Sequence, residues 1–260
     1  MIIERSGGVE IHRFASFDSS VVSHAFFSRN GGVSPEPWSS LNQGGGLGDS
    51  KDNVIENRRR SFAAICRPVE SIYDVWQVHS ADIIVANSPR PLNVEHVKAD
   101  AIVSTNPEIT LFMRFADCVP IMVYEKSGMV AAIIHAGWQG TVKKIVGKTI
   151  SLLVNELNIS PENLVAGIGP SIGPCHYEIG HEVERAVKAS FPEKWNSLLS
   201  YKDSSIFLDL WKSNQLQLEE MGVGIIEVAK ECTACHNDTW FSHRYEKGNT
   251  GRFGAALHLR

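Results

Sequence analysis

The chain has 260 residues, of which 43% are hydrophobic and 21% charged, with a net charge of −4 at pH 7 and a pI near 6.2. This length fills one large domain or two small ones, and the mild acidity argues against a nucleic-acid or anionic-membrane surface, which would show a basic stripe. The opening MIIERSGGVE has neither the basic nor the apolar segment of a secretion signal, and no apolar run approaches the ~20 residues of a membrane helix, so a cytoplasmic protein is expected.

Val21 to Phe27 (VVSHAFF) reads as a strand leading into Ser28-Arg29-Asn30-Gly31-Gly32. From there to Asp49 the Gly, Ser, Pro and Asn content marks a long ordered loop, a feature that tends to be functional. Ser50 or Asp52 caps the next helix, KDNVIENRRRSFAAIC, which places Val54, Arg58 and Phe62 on one face. Arg58, Arg59 and Arg60 must point in different directions around it. IYDVWQV (72–78) reads as a strand ending at His79, followed by DIIVA and by AIVST after Ala99-Asp100.

The stretch Thr110 to Gly140, TLFMRFADCVPIMVYEKSGMVAAIIHAGWQG, reads as a buried hairpin carrying Cys118 and His135, two strands joined by a short turn, with TLFMRFA and VPIMVY surrounding Ala116-Asp117-Cys118. MVAAIIH follows a turn at Lys126-Ser127-Gly128. Apolar runs this continuous fit strands covered on both faces. Val142, Ile145, Val146, Ile150, Leu153 and Leu157 then follow helical spacing across Thr141–Leu157. Leu164 to Ile168 is a strand running into Gly169-Pro170-Ser171-Ile172-Gly173-Pro174-Cys175. Helices are predicted at His181–Ser190 and, capped by Asp209, at Leu210–Met221; strands at Ile225–Val228 and in GAALHL complete the chain. Strands and helices interspersed without a linker or repeat predict a single α/β or α+β domain over 1–260.

The odd cysteine set, Cys66, Cys118, Cys175, Cys232 and Cys235, is read as reduced thiols and not as a disulfide framework. His79, Cys118 and His135 each end or interrupt a predicted strand, so they can meet at one sheet edge. Two imidazoles and a thiolate are a set that zinc accepts with a fourth position open, and copper takes it too. The same residues also suit a metal-free thiol enzyme, with Cys118 as nucleophile and His135 or His79 as base. Asp117 could orient a histidine, but alternation along a strand turns it to the other face. Cys232-Thr-Ala-Cys235-His236 has no second CxxC or HxxxH pair and reads as a loop after a strand, not as a separate site. Gly44–Gly48 and Gly167–Gly173 lack the GxGxxG spacing of a dinucleotide site; they suit tight turns or walls where backbone approaches a ligand.

Taken together the motifs resemble the laccase-like multicopper polyphenol oxidase family, whose members are also described as zinc-dependent purine nucleoside phosphorylases and as peptidoglycan editing factors. The similarity runs from about His24 to Leu259. It rests on Ser28-Arg29-x-Gly-Gly-Val-Ser34, Ser40-Leu-Asn42, Gly48-Asp49, Val54-x-x-Asn57-Arg58, Gln77-Val-His79 and Ala99-Asp100-Ala101. Ala116-Asp117-Cys118-Val-Pro120, His135-Ala-Gly-Trp138-x-Gly140, Gly169-Pro-Ser-Ile172 and Cys175-x-Tyr177-Glu178 continue it. Cys232-Thr233, Phe241-Ser242-x-Arg244 and Thr250-Gly-Arg252 close it.

The resemblance implies a layered fold with sheets between helices and makes His79, Cys118 and His135 the metal ligands, for zinc or copper. It implies phosphorolysis of adenosine, inosine and methylthioadenosine, with adenosine deamination. The partners expected are a small purine nucleoside and phosphate, with no nucleic acid or membrane, on a monomer or weak homodimer. Arg58, then Arg244, are the phosphate candidates; Ser28, Arg29, Asn42 and Gln77 are polar candidates for sugar or base. Copper-dependent phenol oxidation and editing of a peptidoglycan precursor are the alternative activities; His24, His176 and His243 fit no further copper spacing. Three positions depart from the family pattern. Gln139 replaces an arginine after Trp138, Tyr245-Glu246 follow Arg244 where Arg-Asp is usual, and Gly46 stands for a histidine.

Overall fold

The longest apolar runs form the middle of two six-stranded sheets stacked face to face, in a computed structural model that describes residues 1–260. In chain order the elements are β1 (Ile2–Ser6), β2 (Val9–Arg13), β3 (Val22–Phe27), α1 (Lys51–Ala64), β4 (Ile72–Tyr73), β5 (Ile83–Val85), β6 (Ala101–Ser104), β7 (Thr110–Phe115), β8 (Val119–Glu125) and β9 (Ala131–Ala136). They continue with α2 (Trp138–Val142), α3 (Ile145–Asn155), β10 (Leu164–Ile168), β11 (Glu178–Ile179), α4 (His181–Ser190), β12 (Leu199–Lys202), β13 (Ser205–Leu208), α5 (Leu210–Glu220), β14 (Ile225–Val228) and β15 (Phe253–Leu259). The first sheet has the order β1-β2-β3-β15-β7-β4 and the second β14-β10-β8-β9-β6-β5; β11-β13-β12 form a small third sheet.

Alternation along each strand sends side chains into different cores. Met113 and Phe115 of the first sheet meet Met122, Tyr124 and Ile133 of the second between the sheets. Ile121, Val123 and Ile134 face the other way, onto Ile145, Ile150 and Leu153 of α3 and Leu218 of α5. On the far side of the first sheet, Phe27, Phe112 and Ala256 pack on Phe62 of α1. Strands buried on both faces need no polar alternation, which explains the continuous apolar sequence. The result is the layered α+β fold expected, with both sheets between helices. The caps are as predicted: Ser50 accepts the Asp52 N–H, and Asp209 accepts that of Lys212. No helix is long and apolar enough to cross a membrane.

Three expectations are corrected. The hairpin carrying Cys118 and His135 forms as read, β8 pairing with β9 and Val119 opposite Ala136, but the run before Asp117 does not continue it: β7 pairs with β15 in the first sheet. The chain crosses between sheets at Ala116-Asp117-Cys118, where Asp117 adopts φ 84°. The helix expected over Thr141–Leu157 is two, broken at Lys144, which is left-handed with φ 61°. Of IYDVWQV only Ile72–Tyr73 joins a sheet, followed by a lone bridge from Trp76 to Lys98. The fully buried Asp74 side chain draws that segment away from the ladder, toward Arg58, Arg90, Arg114 and His96.

Candidate metal centre and its cavity

The crossover between the sheets puts Cys118 beside the end of β9, which carries His135, and beside the loop that carries His79. The ligand atoms of all three lie within 4.8 Å of one another. Cys118 Sγ is 3.7 Å from His79 Nε2, and the two rings meet edge to face at 5.0 Å.

Asp100 assembles this geometry. Its carboxylate accepts the backbone N–H groups of Val78, His79 and Ser80 at 3.2, 3.0 and 2.6 Å, and the Ser80 hydroxyl at 2.9 Å. It also accepts His135 Nδ1 at 2.8 Å. A carboxylate only accepts, so Nδ1 keeps its proton and Nε2 is the nitrogen a cation would take, the usual outer support of a metal-bound histidine. Burial alone would raise the Asp100 pKa, but the hydrogen bond and charge of His135, with Ser80, hold it at about 2. The carboxylate therefore stays charged at every working pH. Gly137 matters for a steric reason: a Cβ there would lie 2.9 Å from His79 Cδ2 and 3.0 Å from Cys118 Sγ.

The donor set fits a cation. Burial pushes the Cys118 thiol up, yet His135 and His79 outweigh it and bring the thiol down to about 6. Burial lowers His135, while Cys118 and Asp100 raise it to about 9. Without metal the two therefore pair as thiolate and imidazolium; a bound cation would displace the Nε2 proton, and the thiolate and imidazole it then meets match zinc or copper.

Asp117 orients neither histidine; it lies in the crossover, off either strand, and its hydrogen bonds go elsewhere. Its carboxylate accepts the hydroxyls of Thr233 and Ser242, each at 2.7 Å, and the Arg244 N–H at 2.6 Å. It thus ties two C-terminal loops to the residue next to Cys118.

A cavity of about 550 Å³ opens over His79, Cys118 and His135. Arg114, Arg244 and Arg252 line it together with Trp76, Tyr177 and Gly44–Gly46, so this glycine loop forms part of the cavity wall. A smaller recess of about 190 Å³ continues past Cys118 to Gln139 and Leu210.

Of the polar candidates, Gln77 and Arg244 line the cavity and four others do not. Gln77 is itself committed to the scaffold, exchanging two hydrogen bonds with the Arg114 backbone at 2.8 and 3.0 Å. Arg58 lies behind the wall, 3.8 Å from Asp74 and beneath the Phe112 ring. Arg29 is paired with Glu246 and stacked on Phe241. Asn42 is fully buried, bridging Asp49 and Gly44 and accepting the Arg252 N–H, and Ser28 is buried accepting the Asn30 N–H. These residues shape the loops around the cavity. Arg114 went unnoticed in sequence; its signal is a lone arginine within the apolar run TLFMRF, and its guanidinium shares Asp74 with Arg58. His24 is a core residue, accepting the Phe14 N–H at Nε2.

One further correction concerns Cys232 and Cys235. They do follow a strand, but they are not without partners: Cys175 and His176 arrive from the loop after β10, and all four ligand atoms lie within 4.8 Å of one another.

The model of the family described as multi-copper polyphenol oxidoreductase laccase matches residues 23–260. Purine nucleoside phosphorylase YlmD of Geobacillus stearothermophilus is 34% identical over 244 residues, 90% of this chain and 88% of that protein. Purine nucleoside phosphorylase YfiH of Escherichia coli K12 is 34% identical over 233 residues, 89% and 91% of the two chains. The crystal structure of the Geobacillus YlmD superposes with a TM-score of 0.92 at 31% identity, covering 100% of this chain and 99% of that one.

Proposed function

This chain belongs to the multi-copper polyphenol oxidoreductase laccase family, and within it we propose a zinc-dependent purine nucleoside phosphorylase that also deaminates adenosine. Adenosine, inosine and methylthioadenosine are the proposed substrates, with phosphate. The observation that carries this reading is a three-ligand set at the floor of a cavity rimmed by three arginines. Relatives bearing the phosphorylase name over nearly the whole chain support it.

The cavity volume falls within the roughly 300–1,000 Å³ of small-molecule sites. Trp76, 55% exposed, and Tyr177 offer ring faces against which a purine can stack. Arg252 donates within the protein only through Nη1, to the Thr250 and Gly251 carbonyls. Arg244 likewise uses Nη1, toward the His176 and Glu178 carbonyls. Both guanidiniums therefore keep Nε and Nη2 for an anion, and a planar fork suits phosphate. Burial lowers Arg114 to about 10, which leaves it charged at neutral pH. Gln139 lines the recess, Gly46 lines the cavity, and Tyr245 is 59% exposed, so the positive field rests on these three arginines.

In phosphorolysis a phosphate oxygen bonds to C1′ as the C1′–N9 bond breaks. The electron pair leaves with the purine, which takes up a proton, and the products are a sugar 1-phosphate and the free base. The arginines hold the nucleophile in place and carry its charge. In deamination a water oxygen adds at C6 and ammonia departs, without phosphate. Zinc held by His79, Cys118 and His135 would supply Lewis acidity and a bound water of lowered pKa.

The test compares wild type with Cys118→Ala for turnover of inosine and adenosine, with and without phosphate, on protein of measured metal content. Wild type is expected to form sugar 1-phosphate only with phosphate and to deaminate adenosine without it. The variant is expected to lose the triad metal and both activities. A fully active Cys118→Ala protein overturns the metal reading; phosphate-independent release of base, or oxygen uptake with phenols in its place, overturns phosphorolysis.

A further inference from the structure

We propose that Cys175, His176, Cys232 and Cys235 bind a second metal ion, a structural zinc that clamps the wall of the cavity. Cys175 and Cys235 Sγ are 3.6 Å apart. His176 Nδ1 lies 3.3, 3.7 and 3.4 Å from the Sγ atoms of Cys175, Cys232 and Cys235. A tetrahedral ion with metal–sulfur bonds of ~2.3 Å and a metal–nitrogen bond of ~2.0 Å sets its ligands ~3.5–3.8 Å apart along each edge. Four of the six edges, at 3.3–3.7 Å, are already close to that spacing, and all four atoms lie within 4.8 Å of one another. Three thiolates and an imidazole complete a coordination shell with no open position, the pattern of structural zinc and not of a catalytic centre.

The surroundings are those of a built site. The Gly173 N–H donates to Cys232 Sγ at 3.2 Å, a contact that supports a thiolate ligand. Gly173 has no room for a side chain, since a Cβ would meet Trp211 at 2.7 Å and Cys232 at 3.1 Å. The two contributing loops are registered by backbone bonds from Ser171 N–H to Glu231 and from Thr233 N–H to Ser171, each 3.1 Å. All four ligands therefore converge from segments that the backbone already holds together.

The consequence lies next to the cavity. Tyr177 follows His176 directly, and Arg244 grips the carbonyls of His176 and Glu178. Thr233, next to Cys232, holds the carboxylate of Asp117 beside Cys118. A metal at this cluster would fix the loops bearing Tyr177 and Thr233 without touching the substrate.

The proposal stands apart from the proposed reaction, and metal stoichiometry tests it. Full-length protein purified under reducing conditions is loaded with zinc, dialysed and analysed for bound metal; cobalt(II) serves as a spectroscopic probe. Wild type is expected to hold two equivalents and Cys118→Ala one. Cys118→Ala combined with Cys235→Ser is expected to hold none. The cobalt form of Cys118→Ala should show the intense thiolate-to-metal charge transfer of three sulfur ligands. If Cys235→Ser fails to fold, His176→Gln in the same background must lose the equivalent, and with it the cobalt charge-transfer band. A Cys118→Ala protein that binds no metal, or that keeps one equivalent in both double variants, overturns the proposal.

Discussion

Two clusters of thiols and imidazoles lie on either side of Asp117, and they differ in ways that ligand identity alone does not reveal. His79, Cys118 and His135 supply three ligand atoms from the ends of sheet strands and the loops beside them, and a cavity stands where a fourth would be. Cys175, His176, Cys232 and Cys235 supply four, from two surface loops, and enclose their centre. The first has a buried carboxylate, Asp100, that orients an imidazole; the second has a backbone N–H, from Gly173, that supports a thiolate. The difference teaches that coordination number separates chemistry from scaffolding. An open position invites a substrate or water, while a closed shell holds chain segments in place.

The sharpest way to break this contrast is at Asp100. Replacing Asp100 with Asn removes the charge that pairs with His135 and one of the acceptors that hold residues 78–80. Metal affinity at the triad should fall about 10- to 100-fold, as for other outer ligands, with the four-ligand centre unaffected. Competition against a chelator, read separately for each site, measures this; equal losses at both sites would dissolve the distinction.

The next effect should appear at the cavity rim. Arg252→Lys keeps the charge but loses the planar fork, so KM for phosphate should rise about tenfold while phosphate-independent adenosine deamination changes little. Steady-state kinetics at varied phosphate decide it, and an equal loss in both reactions would place Arg252 in the scaffold instead.

The sequence made part of this contrast legible. The triad could be read because each member sits within a motif of its own, Cys118 and His135 beside strand ends and His79 in a loop. The β8–β9 turn at Lys126-Ser127-Gly128 could be read because an apolar run stops and restarts. The crossover at Asp117 could not, because strands buried in two different sheets have the same continuous apolar appearance. Only the left-handed backbone of Asp117 redirects the chain there. The four-ligand centre was hidden because its halves lie 56 and more residues apart, joined by a parallel bridge between Ser171 and Cys232. Arg58 drew attention by its place in a motif, yet α1 aims it at Asp74; Arg114, one strand away, reaches the cavity.

The smallest effect concerns acid stability, to which two scaffold residues outside both centres contribute. His24, buried among Phe14 and Phe17, is held by burial and by Arg13 at about 3, well below its ordinary value of 6.5. Below pH ~6.5 the unfolded chain therefore gains a proton that the native state refuses, and stability falls by up to ~1.4 kcal/mol per pH unit. Asp74, depressed despite its burial by His96, Arg114 and Arg58, adds stability above the ordinary carboxylate range and loses it as pH falls below ~4. Denaturant midpoints should decline between pH 7 and 5 in wild type and less steeply in His24→Gln. A pH-independent midpoint in wild type would contradict the buried neutral His24.

The central contrast is tested most directly by measuring phosphate-dependent inosine cleavage against the occupancy of each centre, in metal-free protein titrated with zinc and quantified site by site. The account predicts that turnover tracks metal at His79, Cys118 and His135, and that Cys118→Ala with its remaining equivalent bound forms no sugar 1-phosphate. Turnover that instead follows filling of the Cys175, His176, Cys232 and Cys235 cluster, and survives in Cys118→Ala, would contradict it.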